Sequence, residues 1–540
     1  MISEYHGRLV GGLADRLIER LRAVGTRALF GVPGGGGNLR LIDAAGAAGL
    51  PFVLTTTETG GAIAAIAQSE VTGRPGACLT TLGPGVSSVA NGVACAFLER
   101  APVFVFTDNY ASTDIGTFEH QAFLHQALLE RVTKKSLSLA PDTAFRSIEQ
   151  AFASIAEPPF GPVHLDCPAD FESATFPKAF LVTRWHQQEV PPTERARMEH
   201  VLERASKPLV IAGLGARGDE DAAAIRRFCE QHELPAMVTY KAKGVVPDAH
   251  PCFAGVFTNG VIERAVIAES DLIIGVGLDP VELLPRPWTI DQPVVSVAGW
   301  WMPNAHVPFS AQWVSEVPAG LAAIESWLPP SRWDLRAVGR LVADQRQRVD
   351  IKGDGLTASR VVEVAARALA ATSRVTVDAG AHMFPATVGW PVTEPNGMLI
   401  SNGLSTMGFA LPAAIGAALV DRGRPVVALT GDGGLLMCAG ELVTAAREKL
   451  DLLIIVFNDA SLSLIEIKQQ ARRLPASGVA LGDVSWPKLA ESVGVAAFEA
   501  STDVELAQAI ERASRRDGPS LIDVTIDRST YGEMLRVIRG

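Results

Sequence analysis

At 540 residues, 48% hydrophobic and 20% charged, the chain has apolar material for more than one core, since single cores stop growing near roughly 250–300 residues. A net charge of −11 with no offsetting basic stripe argues against a nucleic-acid partner. No apolar run reaches membrane-spanning length, and the opening Met1-Ile2-Ser3-Glu4-Tyr5-His6 lacks the pattern of a signal peptide, so a cytoplasmic location is expected.

Strand-length apolar runs alternate with longer amphipathic stretches, the pattern of a parallel α/β architecture. In the first third, strands are predicted at 28–32, 52–55, 77–81, 103–107 and 163–166, with a small-residue helix at 59–71. Continuous apolar strands such as Val103-Phe104-Val105-Phe106 imply helices on both sheet faces. Polar, Pro-bearing stretches at 185–194 and 329–354 read as linkers around a middle segment with strands at 209–212 and 272–276. The last third repeats the scheme at 375–378, 398–401, 426–430, 452–457 and 521–526. The two outer thirds also share a phrase: Gly73-Arg74-Pro75 leads through a strand to Gly83-Pro84-Gly85, and Gly423-Arg424-Pro425 leads through another to Gly431-Asp432-Gly433. The expected fold class is α/β, three doubly wound parallel-sheet domains at 1–185, 193–330 and 355–540. The six cysteines form no C-x-x-C pair and are expected as buried free thiols.

The strongest chemical signal is Gly431-Asp432-Gly433-Gly434, between an apolar strand and a helical stretch at 435–449. Glycines at such a turn let backbone N–H groups approach an anion. Asp432 would repel a phosphate unless a cation lay between them, which points to Mg²⁺ bridging carboxylates and a diphosphate. Asn458-Asp459 follows after one helix and one strand, which puts both tips on the same edge of a parallel sheet. Each turn alone also reads as ordinary punctuation; the combination at this spacing favours a site.

With these residues in place, the chain resembles the acetolactate synthase and 2-oxo acid decarboxylase branch of the thiamine diphosphate-dependent enzymes. Other phrases carry the likeness along the chain: Phe30-Gly31-Val32-Pro33-Gly34-Gly35, Thr80-Thr81-Leu82-Gly83-Pro84-Gly85, Val132-Thr133-Lys134, and Thr406-Met407-Gly408-Phe409-Ala410-Leu411-Pro412-Ala413-Ala414-Ile415-Gly416. The resemblance implies a pyrimidine-binding first domain, a middle domain and a diphosphate-binding last domain. It implies that the side chains of Asp432 and Asp459 and the carbonyl of Ser461 hold Mg²⁺. Gly431, Gly433, Gly434 and His382 would meet the diphosphate, with Asn458 shaping the turn beside it. Relatives often carry Gln-His where this chain has Ala381-His382. Glu58 would hydrogen-bond N1′ of the aminopyrimidine and promote its imino tautomer; a first-turn acid that merely suits the helix dipole is the plain alternative. Met407 would wedge between the two cofactor rings, Gly34 and Gly35 would leave space beside the reactive carbon, and Gln121 would face the substrate. For His120, His125, Lys468, Arg472 and Arg473, core or solvated positions are expected before substrate contact.

The implied activity is cleavage or formation of a carbon–carbon bond next to a carbonyl, on a 2-oxo acid or related compound, by a homodimer or homotetramer. Two rivals are a flavin-linked oxidase on the same scaffold and a non-catalytic assembly or regulatory homologue. Glu58, Asp432, Asp459 and Met407 argue against the second. The middle segment contains Gly213-Leu214-Gly215-Ala216-Arg217-Gly218, a literal dinucleotide fingerprint. Asp219, Glu220 and Asp221 follow where a pyrophosphate would rest, and Gly277-Leu278-Asp279-Pro280-Val281-Glu282 replaces the Arg-rich phrase of flavin-bearing relatives. Neither FAD nor NAD is expected.

Overall fold

The computed structural model describes residues 12–174, 189–303 and 305–540. The opening hexapeptide and residues 185–188 of the first expected linker lie outside them. The chain divides into two compact units, Met1–Trp185 and His186–Gly540.

The first unit is built on one sheet: β1 (Leu29–Val32), β2 (Phe52–Leu54), β3 (Gly76–Thr80), β4 (Val103–Asn109), β5 (Lys135–Ser138) and β6 (Val163–Pro168). Its order is β2-β1-β3-β4-β6-β5, all parallel. β3 and β6 are buried along their full length, as expected of strands covered on both faces. Helices of small residues do the covering: Glu58–Thr72 and Pro84–Leu98 flank the sheet and bury most of their alanines and glycines.

The second unit carries two sheets. The middle sheet comprises β7 (Pro208–Ala212), β8 (Ala236–Val238), β9 (Phe253–Val256), β10 (Leu272–Val276), β11 (Val294–Ala298) and β12 (Phe309–Val314), ordered β12-β11-β10-β7-β8-β9. That is the dinucleotide-fold order, with a topological switch between β7 and β10. The last sheet comprises β13 (Arg374–Val377), β14 (Met398–Ile400), β15 (Val426–Gly431), β16 (Leu452–Asn458), β17 (Ala496–Ala500) and β18 (Ser520–Thr525), ordered β14-β13-β15-β16-β18-β17. Three six-stranded parallel sheets with flanking helices make this a three-domain α/β chain.

The first and last sheets share one topology. The Gly-Arg-Pro phrase precedes the third strand of each, β3 and β15, and the glycine turn follows it. Two stretches differ from expectation. The span 329–354, read as a linker, contains the helix Leu335–Val349. Asp334 caps it by accepting the N–H groups of Arg336 and Ala337, and Val338, Val342 and Val349 bury its apolar stripe. The helix expected at 435–449 is two short helices, Asp432–Cys438 and Glu441–Arg447, interrupted at Ala439-Gly440 where glycine weakens propagation. All six cysteines are free and buried, and among the described residues no helix is long and apolar enough to cross a membrane.

Candidate active site

In the second unit the site forms where β13, β15 and β16 end. Asp378, just beyond β13, is fully buried and organises the edge. Its Oδ1 accepts the N–H groups of Ala379 (2.8 Å), Gly408 (2.9 Å) and Phe409 (3.3 Å), and its Oδ2 accepts the Thr430 hydroxyl at 3.0 Å. Burial pushes this carboxyl up to about 6, against the pull of those donors. The bonds to Gly408 and Phe409 fix the segment that carries Met407. A Cβ at Gly434 would come within 2.7 Å of Asp378 Oδ2, so only glycine lets the turn sit on that carboxylate.

Asp432 opens the helix after β15 and is buried. Its Oδ1 accepts the N–H of Gly433 at 2.7 Å and its Oδ2 accepts the N–H of Asp459 at 3.2 Å. The two strand tips are therefore joined, as the spacing predicts. Asp459 in turn accepts the N–H of Ser461 (3.1 Å) and the hydroxyl of Ser463 (2.6 Å). Asp432 is raised to about 6, first by burial and then by the charge of Asp459; Asp459 is raised chiefly by burial. Asn458 turns the other way and donates to Asp523 Oδ1 at 2.9 Å, tying β16 to β18. Ser461 is anchored through its hydroxyl to Glu466 (2.9 Å), which also accepts Arg528 (2.9 Å). Tyr531 is buried close by, its hydroxyl held far from ionisation by burial and by the charges of Asp459 and Asp432.

His382 is 3% exposed, stacks on Phe457 with ring centroids 5.1 Å apart, and lies against Gly431. Its Nε2 is buried without a hydrogen-bond partner, a group that native structures rarely leave unsatisfied. Burial lowers the ring to about 4. Met407 is half-buried, and its terminal methyl points at Gly433 beside Leu462 and Leu481. A buried acid facing the charge of a half-buried one suits a cation, and an orphaned imidazole nitrogen beside a glycine turn suits an anion, so these residues fit a metal-bound diphosphate. Among the described residues no cluster of three or more His, Cys, Asp or Glu side chains is placed to hold a metal. A cation here would rest on two carboxylates and take its remaining oxygens from backbone, ligand and water.

In the first unit, Glu58 is the first residue of the helix Glu58–Thr72, with Thr57 as its cap, and is half-buried. Its Oε2 accepts the Ser88 hydroxyl at 2.7 Å. Gly35 faces open space, whereas a Cβ at Gly34 would collide with Asp108 Oδ2 and come within 2.7 Å of Thr81 Oγ1. Asp108 caps the next helix by accepting the N–H groups of Gly36 (3.2 Å) and Asn38 (2.6 Å), and burial raises it to about 6. Room beside this turn thus comes from Gly35, while Gly34 makes way for the aspartate.

Gln121 is exposed, with a left-handed φ of 56°, and its backbone abuts Gly83. A buried polar chain lies beneath. Gly83 N–H donates to His125 Nε2 at 3.3 Å, so that nitrogen is bare and Nδ1–H donates to Asp166 at 3.0 Å. Asp166 also accepts Thr107 (2.7 Å) and Asn109 (2.6 Å), and Thr107 meets His164 Nε2 at 2.8 Å. Burial lowers His164 to about 4, and Asp166 stays below the usual carboxylate range because these donors outweigh its burial. His125 is therefore a core residue, while His120, Lys468, Arg472 and Arg473 are exposed.

At the middle-sheet switch point, the glycine fingerprint is filled by the chain itself. Glu282 Oε1 accepts the N–H of Leu214 at 2.8 Å, and a Cβ at Gly213 would lie 2.6 Å from that same oxygen. A Cβ at Gly215 would lie 2.8 Å from the Trp300 ring. Asp219, Glu220 and Asp221 occupy the first turn of the following helix, as anticipated.

One glycine-turn edge with linked acids in the second unit, and one helix-borne glutamate in the first, are features that suit an enzyme with a diphosphate cofactor. Family models for thiamine pyrophosphate enzymes match in order: the N-terminal TPP binding domain at residues 12–132, the central domain at 196–297 and the C-terminal TPP binding domain at 378–524. The chain is 27% identical to the acetolactate synthase of Bacillus subtilis (strain 168), over 96% of this chain and 93% of the relative. It is 28% identical to the acetolactate synthase isozyme 2 large subunit of Escherichia coli (strain K12), over 95% of each. It is also 27% identical to a protein of Pseudomonas aeruginosa described as probable 2-ketoarginine decarboxylase AruI, over 94% of this chain and 93% of the relative. The chain belongs to the thiamine pyrophosphate enzymes, in the branch like acetolactate synthases and 2-oxo acid decarboxylases. It is an enzyme that uses thiamine diphosphate to make or break a carbon–carbon bond.

Proposed function

We propose that this enzyme is a Mg²⁺-dependent lyase or carboligase whose donor is a 2-oxo acid, acting in the cytoplasm as a homodimer or homotetramer. The observation that carries the reading is the linked pair of buried Asp432 and half-buried Asp459, each raised in pKa, beside the unpartnered His382 nitrogen. Asp432, Asp459 and the Ser461 carbonyl hold the cation; His382, Gly431, Gly433 and Gly434 receive the diphosphate, and Asn458 keeps the turn in shape. When bound, thiamine diphosphate supplies the electron sink for the bond that is made or broken. The chain's own part is to orient and to exclude water. Glu58 shares a proton with the pyrimidine nitrogen, Met407 wedges the two rings, Gly35 leaves room beside the reactive carbon with Gly34 shaping that turn, and Gln121 meets the substrate. The similarity to acetolactate synthases favours a carboligase outcome, and that to AruI favours decarboxylation of a larger 2-oxo acid. The domains run 1–185, 193–330 and 355–540. Flavin is no part of this reading, which Glu282 and Trp300, packed against Gly213 and Gly215 of the glycine fingerprint, support.

Calorimetry with thiamine diphosphate and Mg²⁺ tests the reading. Binding should require the metal in the native enzyme and be lost in Asp432→Ala. Undiminished, metal-independent binding to that variant would refute the ligand assignment. Glu58→Gln should retain the cofactor but exchange its C2 proton at least a hundredfold more slowly, in the range of general acid–base contributions.

A further inference from the structure

The carboxylate of Glu58 does not stand alone. Its backbone is fixed at the start of a helix whose cap, Thr57, accepts the N–H of Gly60 at 3.0 Å. The side chain beyond that point has three free torsions. The neighbouring helix Pro84–Leu98 stops it from swinging: Ser88 Oγ donates to Glu58 Oε2 at 2.7 Å. The Ser88 carbonyl in turn accepts the Thr59 hydroxyl at 2.6 Å, so the residue carrying the donor is tied to the residue next to Glu58. The helices come this close because a Cβ at Gly92 would already lie 2.5 Å from that of Ala62. With Oε2 engaged by Ser88, the other oxygen, Oε1, lies over the turn at Gly85, 3.4 Å from where a Cβ there would be.

We propose that Ser88 is a positioning residue for Glu58: its hydroxyl holds Oε2 so that Oε1 is presented to the pyrimidine nitrogen N1′ of the cofactor. This rests on the role given to Glu58 above. An acid that must share a proton along one direction gains from a locked rotamer, since an unheld side chain must lose that freedom when the cofactor binds. Ser88 supplies the lock without adding a competing charge. The backbone tie through Thr59 survives any change of the Ser88 side chain, so hydroxyl and packing can be separated.

The experiment compares the native enzyme with Ser88→Ala, Ser88→Thr and Glu58→Gln, all with Mg²⁺. The first readout is a ratio of dissociation constants, for thiamine diphosphate and for an analogue with CH in place of N1′. The second is the rate of hydrogen–deuterium exchange at C2 of the bound cofactor. Ser88→Ala should cut the preference for the N1′-bearing cofactor by about tenfold and slow exchange similarly, the size of one hydrogen bond to a charged group. Ser88→Thr, which keeps the hydroxyl, should stay within about threefold of the native enzyme. Unchanged values in Ser88→Ala, or a Ser88→Thr protein as impaired as Ser88→Ala, would overturn the proposal. If Glu58→Gln is impaired while Ser88→Ala is not, only the role of Ser88 falls; if Glu58→Gln itself is unaffected, the role of Glu58 falls first.

Discussion

Glu282→Gln asks whether a buried acid in the middle domain is carried as a neutral group. Burial is the main cause that takes this fully buried carboxyl from an ordinary 4.5 to about 8, with Asp279 adding to the rise and Thr239, the Leu214 N–H and Arg217 opposing it. A folded-state value above the unfolded one means that the stability is fully present below about 4.5 and is lost as pH rises toward 8. At about 1.4 kcal/mol per pH unit, the complete loss is roughly 5 kcal/mol, and about 3 kcal/mol is already gone at pH 7. Glutamine keeps the acceptor for Leu214 and never ionises; its imperfect fit costs about 1 kcal/mol. The variant should therefore match or fall slightly below the native protein near pH 5 and exceed it by several kcal/mol near pH 8. The assay is the difference in urea-unfolding midpoint between the two proteins from pH 5 to 9, read as a difference because a chain of this size need not unfold in one step. A midpoint difference that stays constant across that range would refute the reasoning.

Other changes probe the scaffold of the site. Asp378→Ala strands three backbone N–H groups and leaves the Thr430 hydroxyl only the Gly431 carbonyl; a loss of about 3–5 kcal/mol is expected from urea unfolding, together with weaker thiamine diphosphate binding because the Met407 segment loses its anchor. His125→Phe fills the ring's volume but removes the acceptor for Gly83 and a donor to Asp166; a loss of about 2–3 kcal/mol is expected. Since Gly83 abuts Gln121, the KM for pyruvate as a probe substrate should rise more than kcat falls.

The outer sheets were legible because most of their strands, the edges β2 and β14 included, are apolar runs; one edge strand of each was not. β5 reads Lys135-Ser136-Leu137-Ser138 and β17 reads Ala496-Ala497-Phe498-Glu499-Ala500, each half-exposed at the end of its sheet. Such strands lack the burial that produces the signal. In the middle sheet β8, β9, β11 and β12 escaped notice as short or ordinary apolar stretches. The helix Leu335–Val349 was hidden by its polar composition, although Asp334 and the valine spacing marked it. At the site, motifs pointed to Asp432, Asp459 and Glu58. Asp378, Ser88, Asp108 and Glu282 matter through partners 30 to 72 positions away in the chain, and no local pattern announces such pairings.

Equivalent strands in the first and last sheets finish in sibling turns, and the siblings part at their middle residue. In one it is Pro84, a ring that stiffens the backbone; in the other it is Asp432, a negative charge. One topology thus serves two trades, with a stiffening ring at this corner in one sheet and a negative charge in the other. Exchanging those two residues would be the shortest route to asking how much of each trade belongs to the corner and how much to its surroundings.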